Sequence, residues 1–253
     1  MRKISVLGSD APAAIAGVAE LRARYGHVPP EEADVVVALG GDGFMLQTLH
    51  AIMDLKVPVY GMNRGSVGFL MNDYSCEDLP EKLANAIPAC INPLCMVATD
   101  EEGRSQRALA INEVALYRQR HQAAKIRVKV DDKVMLEELI CDGILAATPA
   151  GSTAYNLSAH GPILPIRSNT MALTPISAFR PRRWRGALLM LDNRVHFEVL
   201  EAEKRPVAAT ADHFEVRNVR HVSVAAAPEI ELTLLYDPGH ELEERLLREQ
   251  FTV

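Results

Sequence analysis

The chain has 253 residues, a length that fits one large domain or two modest ones. Apolar residues make up 48% and charged residues 24%, which excludes disorder and fibrous architectures as the main state. The net charge of −6 argues against general nucleic-acid binding, because a phosphate-backbone binder is normally basic. No stretch approaches the ~18 uninterrupted apolar residues of a membrane span.

The charged start from Met1 to Asp10 is followed by too short an apolar run for a signal peptide. Cys76, Cys90, Cys95 and Cys141 form no CxxC pair, which argues against a zinc knot or redox dithiol. They read as buried or half-buried thiols in a reducing cytoplasm.

The first third alternates strand and helix. Lys3 to Leu7 reads as a strand, and Ala11 to Tyr25 as a helix stopped near Gly26. Ala33 to Leu39 is β-branched and continuous, like a strand covered on both faces. Phe44 to Met53 reads as a helix and Val57 to Met62 as the next buried strand. Ser75 with Asp78 three residues later predicts a capped helix continuing to about Ile87. This order implies parallel β-α-β units. Beyond Ile91-Asn92-Pro93 helical periodicity mostly vanishes. Lys125 to Val130 alternates strictly before an Asp131-Asp132 turn, and strand-like runs recur at Ala187–Leu191, Val195–Leu200, Val207–Ala211, Val222–Ala226 and Ile230–Tyr236. Such spacing predicts an antiparallel, sandwich-like domain. Glu241 to Phe251 reads as a charged helix with Leu242, Leu246 and Leu247 roughly on one face. The expected organisation is an α/β domain over 1–92 (Rossmann-like, with a parallel sheet), an all-β domain over 93–236, and a helical tail over 237–253 packing back on the α/β domain.

Four segments carry candidate chemistry. Gly40-Gly41-Asp42-Gly43 joins a buried strand to a helix. Its glycines permit a tight turn and close ligand approach, and the helix N-terminus suits phosphate. Asp42 is the odd member: it would coordinate magnesium, accept a proton from an attacking hydroxyl, or simply cap the helix. A second glycine-rich turn runs from Gly61 to Leu70, with Arg64 as a phosphate ligand or an ordinary loop residue. Asn112-Glu113 interrupts an apolar run, as a reader of ribose or adenine or as an edge-strand polar pair. The densest signal is Asp142 to Ser158, where a short apolar strand leads into Thr148-Pro149-Ala150-Gly151 and then hydroxyls at Ser152, Thr153, Tyr155 and Ser158. No P-loop or GxGxxG dinucleotide fingerprint is present, GxSxG is absent, and His160, His196, His213 and His221 lack metal-ligand spacing. Arg180, Arg182, Arg183 and Arg185 surround Trp184 as a solvated basic loop, an anion site or a subunit contact.

Taken together, the GGDG turn, the GMNRGSVGF segment, the Asn-Glu pair and the DGxxxxTPxGSTAY block resemble the NAD kinase family, over roughly Val35 to Asp212. GGDG alone is shared with phosphofructokinases and diacylglycerol-type lipid kinases; the Asn-Glu pair with TPAGSTAY is far more specific. The resemblance implies transfer of the ATP γ-phosphoryl group to the 2′-hydroxyl of the adenosine ribose of NAD, giving NADP. It implies Asp42 as general base, Gly40, Gly41 and Gly43 at the phosphate turn, and Phe69 in the site. Asn112 and Glu113 would hold the adenosine portion, and Asp142 the nicotinamide ribose or carboxamide. Thr153, Ala154, Tyr155, Asn156, Leu157 and Ser158 would form the dinucleotide loop, with Asp212 as a further site carboxylate. It implies ATP with Mg2+ rather than a fixed protein metal site, and a homodimer or homotetramer; the thiols, hydropathy and charge add the expectation of a cytoplasmic protein that binds neither membrane nor nucleic acid. Two departures stand out. Ala150 replaces a common Thr, and Ile140 stands where the family often carries Arg or Gly, leaving the choice between NAD and NADH open. A lipid or sugar kinase, or a non-catalytic dinucleotide sensor, are the rival classes.

Overall fold

The computed structural model describes residues 2–65 and 68–251; Ser66 and Val67 of the second glycine-rich segment lie outside the described residues. In chain order it contains β1 (Ile4–Gly8), α1 (Pro12–Tyr25), β2 (Val35–Gly40), α2 (Asp42–Ile52), β3 (Val59–Asn63), α3 (Leu79–Asn85) and β4 (Ile87–Ile91). Next come β5 (Leu94–Asp100), β6 (Ser105–Ala110), β7 (Glu113–Arg118), β8 (Ala124–Val130), β9 (Lys133–Cys141) and β10 (Gly143–Ala147). After the short helix α4 (Tyr155–Ser158) follow β11 (Thr170–Ile176), β12 (Ala187–Met190), β13 (Val195–Val199), β14 (Val207–Ala211), β15 (Phe214–Val216) and β16 (Val219–Ala226). The chain ends with β17 (Leu232–Tyr236) and α5 (Leu242–Glu249). Two compact units result, Met1–Ile91 with Ile230–Val253, and Asn92–Glu229.

The first unit is an α/β domain. Its sheet runs β1-β2-β3-β17-β4, parallel from β1 through β17 and antiparallel only at β4. All six residues of β2 are buried, as its unbroken apolar run demands of a strand covered on both faces. Pro12 opens α1 and Gly26, at φ +79°, closes it by donating its N–H to the Arg22 carbonyl. The sequence reading is corrected in four places. β17, expected in the β-rich domain, lies between β3 and β4 and belongs to the first unit. The helix expected to reach Ile87 ends at Asn85, and Ile87 begins β4 because the residue before Pro88 is pushed to extended backbone. Asp78 caps α3 with no side-chain hydrogen bond. On α5, Leu242 and Leu246 are buried but Leu247 is exposed.

The second unit is a sandwich of two antiparallel six-stranded sheets, β12-β11-β10-β7-β14-β15 and β6-β5-β16-β13-β8-β9. Alternate residues such as Val114 and Leu116 of β7, Ile126 and Val128 of β8, and Val222 and Val224 of β16 meet in one core, as a period of two requires. β10 is buried along its whole length. Ile144 and Ala146 face that core, while Leu145 and Ala147 join a smaller cluster with Leu164, Tyr117 and Tyr155 on the opposite face. The segment after β10 therefore folds back over its own sheet.

The four cysteines are free thiols. Cys90 is exposed rather than buried. Among the described residues, no helix is long and apolar enough to cross a membrane.

Candidate active site

In the first unit, Asp42 is the first residue of α2, and the cap residue is Gly41. The Asp42 side chain does not cap its own helix. It reaches the second glycine-rich segment, where Oδ2 accepts the Phe69 N–H at 2.7 Å and Oδ1 accepts the Leu70 N–H at 2.9 Å. The approach is so close that a Cβ on Gly68 would stand 2.4 Å from Oδ1. A carboxylate offers about four lone-pair sites, so each oxygen keeps one for a ligand. None of the three motif glycines needs a positive φ. Gly41 and Gly43 instead leave open space where a side chain would stand, directly at the helix N-terminus. The Arg64 guanidinium lies over the Tyr74 ring, 3.1 Å from its centroid.

In the second unit, three strand ends meet. Asn112 lies between β6 and β7, Ala147 of β10 pairs with Glu113, and Ala211 of β14 pairs with Val114. The Asp212 carboxylate, at φ +48°, accepts the N–H groups of Ile111 at 2.7 Å, Asn112 at 3.0 Å and Glu113 at 3.3 Å. Thr148 ties the next loop to the same turn: its hydroxyl donates to the Ile111 carbonyl and accepts the Gly151 N–H, while its backbone N–H donates to the Asn112 carbonyl. A Cβ on Gly151 would collide with the Asn112 carbonyl oxygen at 2.2 Å. The Ser152 hydroxyl donates to the Pro149 carbonyl and accepts from the Leu164 N–H, which ties the start of the hydroxyl-rich loop to Leu164.

Glu113 stands out electrostatically. Its Oε2 is buried without a hydrogen-bond partner. Burial, reinforced by the nearby Asp212 carboxylate, pushes its pKa up to about 7. Asp142 is ion-paired through Oδ1 with the Arg118 Nε at 2.5 Å. The pair lines a cavity of about 520 Å³ together with Tyr117, His121, Tyr155 and Ile176. Tyr117 and Tyr155 present tilted rings 5.8 Å apart. A second cavity, of about 310 Å³, is bordered by Tyr155, Ser158, His160, Arg182, Trp184 and Arg185. Among the described residues, no group of three or more His, Cys, Asp or Glu side chains could hold a metal ion.

A family model described as ATP-NAD kinase N-terminal domain matches residues 19–92, and one described as ATP-NAD kinase C-terminal domain matches residues 111–217. The NAD kinase of Caulobacter vibrioides is 59% identical over 244 residues, covering 96% of this chain and 94% of that protein. The NAD kinase of Hyphomonas neptunium is 56% identical, with 98% of each chain covered. The chain belongs to the NAD kinase family. That family phosphorylates NAD to NADP with ATP, and the chain is a kinase of this kind. The NAD kinase fold is shared with yeast NADH kinase complexed with NADH, at a TM-score of 0.83 and 18% identity over 99% of this chain and 88% of that one. An Archaeoglobus fulgidus NAD kinase in complex with ATP superposes at a TM-score of 0.77, with 21% identity and 99% of each chain covered.

Set against the residues that the NAD kinase resemblance assigns, the geometry separates side chains that border open or unpaired space from side chains bonded within the protein. Tyr155, Asp142 and the buried edge of Glu113 border open or unpaired space. Thr153, Ala154 and Leu157 are half-buried and Ser158 is exposed. The Asn156 side chain is turned into the protein. It is fully buried; its Nδ2 donates to the Ser152 and Pro162 carbonyls, and its Oδ1 accepts from the Thr174 hydroxyl. Asp212 likewise commits its carboxylate to the backbone N–H groups beside Asn112 and Glu113. Sequence reasoning missed Tyr117 and Arg118. The first was findable, since alternation from Glu113 through Ala115 puts Tyr117 on the same face of β7.

Proposed function

We propose that this kinase transfers the γ-phosphoryl group of ATP to the 2′-hydroxyl of the adenosine ribose of NAD, with Asp42 as the general base. The observation that carries this reading is the Asp42 carboxylate: it is fixed by two backbone amides and opens, at the N-terminus of α2, beside the side-chain-free Gly41 and Gly43. Phosphoryl transfer asks little covalent chemistry of a protein, and positioning with charge stabilisation dominates. The helix N-terminus suits phosphate oxygens, and the free lone pairs of Asp42 take the hydroxyl proton as the new phosphorus–oxygen bond forms.

Asn112 and Glu113 hold the adenosine through hydrogen bonds, with the unpaired Glu113 Oε2 turned to a sugar or base donor. Phe69, Thr153, Ala154, Tyr155, Leu157 and Ser158 contact the dinucleotide, and Asp142, oriented by Arg118, binds the nicotinamide half. Magnesium comes with ATP. When bound, the cation would screen the phosphate charge that otherwise repels the Asp42 carboxylate. The enzyme works in the cytoplasm as a homodimer or homotetramer, and the exposed Phe179, Leu188 and Met190 support contact with a second copy. The test is incubation with Mg-ATP and NAD followed by an assay for NADP. Formation of NADP by the intact chain and its loss in Asp42→Asn are expected; ATP-independent dinucleotide binding without product would overturn the reading.

A further inference from the structure

The two peptide groups that hold Asp42 have a second set of partners. The N–H of Phe69 and the C=O of Gly68 belong to one peptide unit, and the N–H of Leu70 and the C=O of Phe69 belong to the next. Both N–H groups point to the Asp42 carboxylate. Both C=O groups accept from a single atom, Nη1 of Arg245, at 3.0 Å from Gly68 and 3.4 Å from Phe69. Arg245 lies on α5, 177 residues along the chain from Gly68.

The guanidinium is itself held in place. Its Nε donates to the His240 carbonyl at 3.0 Å, and its carbon sits over the Tyr236 ring at 5.8 Å. Among the described residues Arg245 makes no ion pair. Its charge therefore falls on backbone carbonyls and an aromatic face rather than on a carboxylate.

We propose that Arg245 is a positioning residue for the phosphoryl transfer, acting on Asp42 through the Gly68-Phe69 and Phe69-Leu70 peptide units. Each peptide unit carries a dipole of about 3.5 D. A cation at the carbonyl end polarises the unit and strengthens the hydrogen bond given by its N–H. Two such units in parallel fix both oxygens of one carboxylate while leaving a lone pair on each. The final helix thereby enters the catalytic geometry without touching substrate. The proposal rests on Asp42 being the base.

The test is steady-state kinetics of Arg245→Ala, Arg245→Lys, Asp42→Asn and the double variant Asp42→Asn/Arg245→Ala, with NAD binding followed by calorimetry. Arg245→Ala is expected to lower kcat on the order of 10²-fold, the scale of a small misplacement of a reacting group. KM and NAD affinity should stay near wild type, Arg245→Lys should fall in between, and added guanidinium ion should restore turnover to Arg245→Ala. In the Asp42→Asn background, loss of Arg245 should cost nothing further, and guanidinium should restore nothing. Should Arg245→Ala fail to fold by circular dichroism, Arg245→Lys and Arg245→Gln carry the same comparison. Wild-type kcat in a folded Arg245 variant, with Asp42→Asn inactive, overturns the positioning role and leaves the base assignment standing. An equal penalty from Arg245 loss with and without the Asp42 carboxylate also overturns it. Normal turnover in Asp42→Asn overturns the base assignment, and the positioning role falls with it.

Discussion

Asp212 and Asn112 lie 100 residues apart, and the carboxylate of the first accepts the backbone N–H of the second at 3.0 Å. The same carboxylate takes the N–H groups on either side of Asn112. The loop that presents the Asn-Glu pair is thus shaped by a side chain from the far end of β14. The shape of that turn, more than the identity of its two polar residues, decides where their side chains project.

Asp212→Asn keeps a residue that tolerates the left-handed backbone at this position but puts an amide nitrogen among three donors. The expected outcome is a loss of roughly 1–3 kcal/mol in stability together with weaker NAD binding, read by thermal unfolding and calorimetry. Unchanged NAD affinity would show that the turn holds its shape without the carboxylate.

Asp42→Asn should lower kcat by at least about 10²–10⁴-fold, the usual worth of general-base help, while NAD still binds. The variant should also unfold at a lower temperature, because one of the two amides of Phe69 and Leu70 would face an NH2 group. Near-normal turnover removes the base assignment.

Glu113 makes stability depend on pH. Its folded pKa of about 7 lies above the ordinary 4.5, so the folded state holds the proton more tightly than the unfolded state does. That contribution is complete below the unfolded value and is lost as pH rises through about 7, by roughly 3 kcal/mol in full. Glu113→Gln is neutral throughout and should escape the loss. Thermal unfolding of variant and parent at about pH 5 and about pH 8 should show the gap moving in favour of the variant at the higher pH. A gap independent of pH would mean that the carboxyl is better solvated than its surroundings indicate.

Asn156→Ala separates scaffold from ligand contact. Removing its amide leaves the Ser152 and Pro162 carbonyls and the Thr174 hydroxyl without their partner. A destabilisation of about 1–3 kcal/mol is expected, with NAD affinity falling only as far as the loop loosens. A large affinity loss at unchanged melting temperature would return Asn156 to the ligand.

Local signals carried much of the fold and less of the site. The continuous run of β2 and the alternation of β8 declare themselves, because burial on two faces or on one imposes its own period. β4 was hidden by Pro88, which reads as a strand breaker and is tolerated here at the sheet edge. β9 was hidden because only its last residues are buried, so it shows no clean alternation. The residue types at Asp42 and Glu113 pointed to chemistry beside a plain structural alternative, and Asp142 took its role only from the family resemblance. Their partners gave no such signal: Phe69 and Leu70 for Asp42, Asp212 near Glu113 and Arg118 for Asp142 come from distant positions, and pairing at such range leaves no local pattern.

Among the described residues β4 finds its strand partner only in β17, and the intervening chain from Asn92 to Glu229 forms a different unit. On a ribosome, the α/β domain must therefore wait. Its first three strands can assemble early, but the sheet is finished only after the entire sandwich has been synthesised. The carboxyl-terminal residues close what the amino-terminal ones began, so a nascent chain lacking them carries an unpaired strand edge beside β3.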